Sequence, residues 1–180
     1  MAQSSTIYVF TVRLADADRG VYETLNLRVA QHPSESPDYL LTRVLAYCLE
    51  YREGIAFSKG LSATEEPAIT VRDLTGRLLS WIEIGIPEAA RLHKASKSAP
   101  RVAIYPHRDT APWLARLAGE RIHRAATIEI LAIDRELIGA MASRLERRMD
   151  FDLAVAERNL YVSFGDQTLS GTVEPRRLAP

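Results

Sequence analysis

Apolar and polar residues alternate with a period of two near the start of the chain, in Ile7 to Leu14 and again in Val21 to Gln31. The turn-rich segment Ala15 to Gly20 separates the two stretches. A period of two sends successive side chains to opposite faces of a strand. The pattern therefore predicts an antiparallel β-hairpin at the beginning of the fold.

The spacing then changes to that of an amphipathic helix. Ser36, Pro37 and Asp38 are typical of a helix start, because serine caps free N–H groups, proline needs no N–H in the first turn and aspartate favours the positive end of the helix dipole. The pattern predicts a helix from Pro37 to Tyr51, which Gly54 closes.

A second hairpin is predicted in the middle of the chain. Ala68 to Arg72 and Leu78 to Ile84 are apolar runs rich in β-branched and aromatic residues, and Gly76 supplies the turn between them. Because Leu78 to Ile84 is almost wholly apolar, we expect it to be a central, buried strand. A short strand from Ile55 to Phe57 is expected before this hairpin.

The remaining pattern predicts alternating helices and strands, followed by a β-rich tail. The expected elements are a helix Pro87 to Lys97, a strand Arg101 to Tyr105, a short helix Pro112 to Gly119, a strand Thr127 to Ile133, a helix Asp134 to Arg148, and three strands Phe151 to Ala156, Leu160 to Phe164 and Thr168 to Val173. This order indicates a mixed α/β (α+β) fold in a single domain over residues 1–180.

Composition and charge narrow the classes of function. Lys and Arg total 23 and Asp and Glu also total 23, so no global positive field attracts nucleic acid or anionic lipid. No apolar run reaches the roughly 18 residues of a membrane helix, and the first residues lack the features of a signal peptide. The single cysteine, Cys48, cannot form an internal disulfide. We therefore expect a cytoplasmic protein that does not enter a membrane.

Glu83 is the most unusual residue for chemistry, because it lies inside the apolar run Leu78 to Ile84. An ionised acid costs several kcal/mol to bury unless a cation meets it. The partner could be an arginine in a structural salt bridge, such as Arg91 or Arg43, or it could be a metal ion. The residues themselves leave both open.

Two further acids, Glu65 and Glu66, directly precede the first strand of the second hairpin. The start of one antiparallel strand lies opposite the end of the other, so Glu66 rather than Asp73 is expected beside Glu83. Two carboxylates within about 8 Å of each other would suit Mg²⁺ or Mn²⁺. The alternative is that Glu65 and Glu66 are ordinary loop charges.

The segment from residue 91 to residue 101 is basic and contains no acid. On the predicted helix, Arg91 and Lys94 share one side at a spacing of three residues, and Lys97 continues it. Such a strip could contact phosphates. A solvated basic face, favoured by the helix dipole, explains the same residues without a ligand.

Five segments carry a family resemblance. They are His32 to Glu35 (HPSE), Arg43 to Tyr47 (RVLAY), Phe57 to Leu61 (FSKGL), Glu65 to Pro67 (EEP) and Trp81 to Pro87 (WIEIGIP). Together they resemble the bacterial YaeQ family over essentially the whole chain. The resemblance implies a variant of the PD-(D/E)XK nuclease fold, whose core has a helix, a three-stranded meander, a helix and another strand. The N-terminal hairpin and a C-terminal β-meander are additions to this core sheet and its flanking helices.

The resemblance also implies roles for individual residues. In nucleases of this fold, the acid that ends the third core strand and an earlier acid hold the metal ion, and a lysine two residues after the strand acid assists the reaction. Glu83 matches the strand acid and Glu66 the earlier acid, whereas Gly85 occupies the lysine position. Lys94 is the candidate that would reach back to the site, and Arg91 and Lys97 are candidate phosphate contacts.

Three functions follow as expectations. The first is a Mg²⁺- or Mn²⁺-dependent nuclease-like protein that acts on nucleic-acid phosphodiesters, with Glu66 and Glu83 as metal ligands and Lys94 as the third catalytic residue. The second is a non-catalytic descendant of the fold that binds nucleic acid or a protein through the same groove. The third is a structural or regulatory protein in which an arginine neutralises Glu83. Gly85 favours the second and third, and the buried position of Glu83 favours the first.

Overall fold

The computed structural model describes residues 4–58 and 65–178. The strands, in chain order, are β1 (Thr6–Asp16), β2 (Val21–Gln31), β3 (Ile55–Phe57), β4 (Ile69–Arg72), β5 (Leu78–Ile84), β6 (Arg101–Tyr105), β7 (Glu129–Ile133), β8 (Arg148–Ala156), β9 (Asn159–Phe164) and β10 (Gln167–Arg176). The α-helices are α1 (Pro37–Leu49), α2 (Ala89–Ser98), α3 (Ala111–Leu117) and α4 (Arg135–Ala142). A short 3₁₀ helix covers Ala125–Thr127. The predicted mixed α/β class is confirmed.

Two compact units can be distinguished within the chain. One comprises Met1–Val44 and Ile133–Glu174, and the other comprises Leu45–Ala132 and Pro175–Pro180. The single domain predicted for residues 1–180 stays a prediction. No helix in the described part of the chain is long and apolar enough to cross a membrane.

The first unit is built on strands in the order β2, β1, β8, β9, β10. β1 and β2 are antiparallel over their full length, and β8, β9 and β10 form an antiparallel meander. These pairings confirm the predicted N-terminal hairpin and β-rich tail. β1 also pairs in parallel with β8, a contact that joins segments far apart in the sequence. Buried and exposed side chains alternate along these strands because one face of the sheet is buried. The buried side chains include Phe10, Val12, Phe151 and Leu153.

The predicted helix Asp134 to Arg148 is wrong in its second half. α4 ends at Ala142, and Arg148 already belongs to β8. Asp134 does cap the helix, because its side chain accepts a hydrogen bond from the backbone N–H of Glu136 at 2.9 Å. The helix stops early because Arg148 pairs with Val9 of β1, and this tertiary pairing outweighs the helical periodicity.

The second unit contains strands in the order β7, β6, β5, β4, β3. β3, β4 and β5 are antiparallel, whereas β5, β6 and β7 run parallel. The segment from Ser80 to Ile84 of β5 is fully buried, which confirms the predicted central strand. α1 ends two residues before Tyr51, and α2 begins two residues after Pro87, so both predicted helices were slightly too long at one end.

A tryptophan-rich core fills the second unit on one side of its strands. The buried residues come from β5, α2, β6, α3 and β7, and include Trp81, Leu92, Ile104, Trp113 and Ile130. The indole N–H of Trp113 donates to the carbonyl of Pro87 at 2.8 Å, which fixes the segment between β5 and α2. This packing sets the position of α2, the helix that carries the basic residues.

Gly54 and Gly76 provide a stability test of the second unit. Both have a positive φ, +88° and +86° respectively. A Cβ at Gly54 would lie 1.9 Å from the carbonyl oxygen of Arg72, whereas a Cβ at Gly76 would meet nothing within 4 Å. We expect Gly76→Ala to cost about 1–2 kcal/mol through backbone strain alone, and Gly54→Ala to cost more than about 3 kcal/mol because the β3–β4 backbone must also move.

Urea unfolding of both variants measures this difference. The Gly76→Ala protein is the matched control, since it carries the same strain without the clash. Equal losses in the two proteins would mean that the close approach of Gly54 to Arg72 does not hold in solution.

Candidate functional site

Glu83 lies one residue before the end of β5 and is only 6 % exposed. Trp81 is on the same face of the strand, two residues earlier, and its indole N–H donates to Oε2 of Glu83 at 3.1 Å. The indole is itself 2 % exposed. One oxygen of the acid is therefore fixed by a neutral donor from its own strand, which leaves the negative charge to be met from elsewhere.

Arg91, in the first turns of α2, supplies the cation that Glu83 needs. Its Nε donates to Oε2 of Glu83 at 2.6 Å, and its Nη2 donates to Oε1 at 3.3 Å. The guanidinium carbon also lies 5.6 Å from the ring centroid of Trp81, a cation–π distance. The sequence left an arginine and a metal ion open as partners of Glu83, and in the structure an arginine, Arg91, pairs with it. Arg43, the other candidate, instead lies 3.4 Å from Glu35 and donates to the carbonyl of Ala30.

Gly85 forms the turn between β5 and α2. Its φ is +111°, a value that residues with a side chain rarely adopt, and its N–H donates to the carbonyl of Tyr105 in β6 at 2.9 Å. The chain thus turns sharply while it is still bonded to the neighbouring strand. A lysine at position 85 would carry a strained backbone, so this turn favours glycine.

The two acids before β4 are held by α2 in different ways. The carbonyl oxygen of Glu66 accepts a hydrogen bond from Nη2 of Arg91 at 2.9 Å, and its side chain is exposed. Glu65 forms an ion pair with Lys94, one helical turn after Arg91. The hydrogen bond from Lys94 lowers the pKa of the Glu65 carboxyl. Lys94 therefore contacts Glu65, and its predicted catalytic role stays a prediction.

The strand register agrees with the expected position of Glu66. Ile69 pairs with Ile82, so the start of β4 lies beside the end of β5, where Glu83 is found. Asp73 is at the other end of the hairpin, where its carboxylate accepts the backbone N–H groups of Thr75 and Arg77 at 2.9 and 3.0 Å. The predicted separation of the Glu66 and Glu83 carboxylates stays a prediction.

The arrangement around Glu83 does not fit a divalent metal ion. The two oxygens of Glu83 already accept three hydrogen bonds from Trp81 and Arg91. Over residues 4–58 and 65–178, no three His, Cys, Asp or Glu side chains come together in a group that could hold a metal ion. The expected Mg²⁺ or Mn²⁺, with Glu66 and Glu83 as ligands, stays a prediction that requires Arg91 to move.

A second, partly buried charge cluster was not predicted from the sequence. Arg101, the first residue of β6, donates to both oxygens of Glu50 at 2.6 and 3.1 Å and to Glu129 at 2.6 Å. The hydroxyl of Tyr105 donates to Glu50 at 2.6 Å, and burial raises the pKa of Tyr105 well above its usual value. An arginine that opens a buried strand is a signal for such an acid partner, although the spacing could not identify Glu50.

The sequence of this chain is similar to a known protein family over most of its length. A family model described as YaeQ protein matches residues 1–173. The chain belongs to the YaeQ family. The YaeQ proteins of Escherichia coli strain K12 and Salmonella typhi are each 28 % identical over 165 residues, which cover 91 % of this chain and 91 % of each relative.

Two crystal structures of YaeQ proteins resemble this fold closely. The protein from Xanthomonas axonopodis pv. citri has a TM-score of 0.87 and 26 % identity, covering 98 % of this chain and 100 % of that one. The protein from Pseudomonas syringae has a TM-score of 0.82 and 30 % identity, covering 95 % of both chains. The predicted YaeQ resemblance is thus confirmed, and it extends to the three-dimensional arrangement.

In this member of the YaeQ family, we expect Glu83→Gln to destabilise the fold by about 2–4 kcal/mol. The variant leaves the Arg91 guanidinium largely buried without a counter-charge. The estimate is below that for a fully buried pair, because 31 % of the Arg91 side chain remains exposed. Thermal and urea unfolding measure the loss.

Glu65→Gln is the matched control, since Glu65 also pairs with a base of α2 but is 80 % exposed. It should change the free energy of unfolding far less. In the double variant Glu83→Gln/Arg91→Met, removal of the orphaned charge should restore part of the stability. A Glu83→Gln protein as stable as the Glu65→Gln protein would contradict a structural role for the Glu83–Arg91 pair.

The ion pair of Glu65 and Lys94 also predicts a pH dependence. Because the Lys94 hydrogen bond lowers the pKa of Glu65, the pair stabilises the fold above the ordinary pKa of a glutamate. This contribution is lost as the pH falls through the lowered pKa of the folded state. NMR titration of the Glu65 carboxyl should give a pKa below that of a free glutamate, and Lys94→Gln should return it towards the ordinary value.

Proposed function

We propose that this chain binds the phosphodiester backbone of nucleic acid through a basic strip on α2, formed by Arg91, Lys94 and Lys97, and does not cleave it. We also propose that the segment from α1 to β6 is a variant of the PD-(D/E)XK nuclease core. The order α1, β3, β4, β5, α2, β6, with three antiparallel strands and one parallel strand, supports this relation. The observation that carries the proposal is the Arg91 guanidinium on Glu83, where a nuclease of this fold would hold a metal ion.

Arg91 is fixed strongly enough to compete with a metal ion for Glu83. Its guanidinium donates to two carboxylate oxygens and to the carbonyl of Glu66, and it lies over the ring of Trp81. Separation of a buried pair leaves an uncompensated charge and costs several kcal/mol. A hydrated divalent ion would have to supply this free energy before it could bind, so the site favours its protein cation.

The lysines of the strip are held much less tightly than Arg91. Lys94 is 44 % exposed and its partner Glu65 is 80 % exposed, so solvent screens the ion pair and a phosphate can replace the carboxylate. Lys97 lies in the last turn of α2, where the helix dipole favours a cation. These two amines are therefore available to a ligand, whereas Arg91 orients the strip.

The geometry of the strip suits consecutive phosphates. Three residues of an α-helix rise about 4.5 Å, so the strip rises about 9 Å along α2 while it winds roughly 120° around the helix. The helix contains three basic residues and no acid. Because the whole chain has a formal net charge of +0, attraction must come from this local strip, and the binding should be weak and sensitive to salt.

The test is fluorescence anisotropy with a labelled single-stranded DNA, an RNA of the same sequence and a DNA duplex, over a range of salt concentrations. We expect binding at low salt that Lys94→Gln/Lys97→Gln strongly reduces. Loss of two phosphate contacts should make the salt slope shallower by about 1.4 for a single strand. The double variant Arg135→Gln/Arg147→Gln, which removes two exposed charges from the first unit, is the matched control.

A wild-type protein that binds none of the three probes at low salt would overturn the proposal. So would equal losses in the two double variants, because that result would indicate attraction by overall charge rather than by the strip.

Mg²⁺- or Mn²⁺-dependent cleavage, with Glu66, Glu83 and Lys94 as the site, is the competing candidate. The buried acid at the end of a central strand favours it. Incubation of the labelled probes with each metal ion, followed by denaturing electrophoresis, separates the two candidates. Intact probes and a melting temperature indifferent to the metal support binding alone. Cleavage that disappears in Glu83→Gln, under conditions where circular dichroism finds that variant folded, but persists in Lys97→Gln would establish the nuclease.

A further inference from the structure

β2 lies at the edge of the first unit and pairs with another strand on one side only. In the order β2, β1, β8, β9, β10 its neighbour is β1, and no other strand among the described residues pairs with it. The open side of such a strand presents a row of backbone N–H and C=O groups, which is a template for pairing with another chain. The β2 edge is therefore a surface that can bind a further strand.

Folded proteins usually protect a strand edge, and β2 lacks the usual means of protection. Its sequence, VYETLNLRVAQ, contains no proline, lysine or glycine. All eleven residues pair with β1 in an unbroken register, without a bulge that would bend the edge away. The edge strand of the second unit, β3, is only three residues long, and its shortness is itself a protection. This contrast indicates that a partner covers the long β2 edge.

Contacts at the end of β2 define how much of the edge can pair. The carbonyl of Ala30 accepts a hydrogen bond from Nη2 of Arg43 at 2.6 Å. The side chain of Gln31 donates to the carbonyl of Glu35 at 3.1 Å, where the chain folds back. The last two residues of β2 are thus engaged within their own chain. The remaining edge, from Val21 to Val29, is about 30 Å long at about 3.4 Å per residue.

A second copy of this chain matches the length of this edge. Two strands related by a two-fold axis through Leu25 run antiparallel, and Val21 then stands opposite Val29 of the other copy. The whole edge from Val21 to Val29 is used in this register. A shift by two residues in one direction would involve Ala30, and a shift in the other direction would leave part of the edge unpaired.

The side chains that meet in this register are complementary. Tyr22 stands opposite Arg28 of the other copy, and the two-fold axis repeats this pair at the other end of the edge. Tyr22 is 65 % exposed, and no carboxylate among the described residues forms an ion pair with Arg28. A guanidinium and a tyrosine ring attract each other. Thr24 stands opposite Asn26, so hydrogen-bonding groups also meet.

The charges of the chain permit two copies to associate. The formal net charge is +0 at pH 7, so two copies do not repel each other through an overall field. β2 contains one acid, Glu23, and one base, Arg28. Neither stands opposite a like charge in this register, because Glu23 faces Leu27 of the other copy. The pairing also uses the β2 edge of both copies, so the assembly is closed and does not grow through this edge.

We propose that this chain forms a two-fold dimer in which the β2 strands of two copies pair antiparallel over Val21 to Val29. The strands of the first unit then continue from one copy into the other. The interface contains no residue of the basic strip on α2, so the dimer does not depend on binding of nucleic acid.

Sedimentation velocity of the full chain, from micromolar to submillimolar concentrations, tests the dimer. We expect the mass to rise from that of one chain to that of two. Thr24→Lys/Asn26→Lys should raise the dissociation constant by about tenfold or more, because lysines of the two copies then stand opposite each other. Ser170→Lys/Thr172→Lys is the matched control, since it adds the same charge at the same spacing to exposed positions of β10, and it should leave the dimer unchanged.

An exchange of charge tests the register. Tyr22→Arg places a cation opposite Arg28 of the other copy and should weaken the dimer about tenfold. Addition of Arg28→Glu to that variant should restore the dimer, because each introduced cation then faces an acid. Both positions are exposed, so thermal unfolding of the dilute monomer should change little and separates loss of pairing from loss of folding.

A chain that sediments as a monomer at every concentration overturns the proposal. A dimer that both lysine variants weaken equally, or that neither weakens, also overturns it, because the interface would then lie elsewhere or respond only to overall charge. A dimer that Tyr22→Arg weakens and Arg28→Glu fails to restore overturns the register of the pairing.

Discussion

Burial of the Glu83 carboxylate in a central strand is the constraint on which the second unit depends. An acid in that position must be neutralised, and the protein does this with Arg91 from the helix that follows. The same guanidinium also holds the backbone of Glu66 and lies over Trp81. A single cation thereby connects β5, α2 and the segment before β4, so the position of α2 and the charge of the site are set together.

The group that neutralises Glu83 affects both the stability of the fold and whether the acid is free to bind a metal ion. A nuclease of the PD-(D/E)XK type keeps its strand acid ready for a metal ion, and the repulsion between its acids is relieved only when the ion binds. Here the neutralising group is part of the chain. The acid then contributes to the fold through Arg91, and the neighbouring Lys94 is more exposed to solvent than Arg91 is.

The elements predicted well were those in which local and tertiary preferences agree. Leu78–Ile84 and Arg101–Tyr105 have the bounds that their apolar runs indicated, because both strands are buried between other strands. α4 was predicted too long because its helical spacing continued into residues that pair with β1. Pairing with β1, which is distant in the sequence, determines that these residues form a strand. The local pattern of residues does not contain that information.

The sequence was sufficient to predict that a cation must lie beside Glu83. Whether an arginine or a metal ion met that need was open in the sequence, because the answer depends on the turn at Gly85 and on where α2 then begins. The indole hydrogen bond of Trp81 and the cluster of Glu50 with Arg101 depend similarly on contacts between separate elements. The order of residues along the chain does not reveal such contacts.

The parallel pairing of β1 with β8 has a consequence for synthesis on the ribosome. β1 ends at Asp16, whereas its partner begins only at Arg148, so the first hairpin emerges long before the strand that covers its inner edge. Residues 45–132 of the second unit emerge in between and can collapse around their own core. During that interval the edge of the nascent hairpin that β8 later covers is unpaired, and an unpaired strand edge is a template for incorrect pairing.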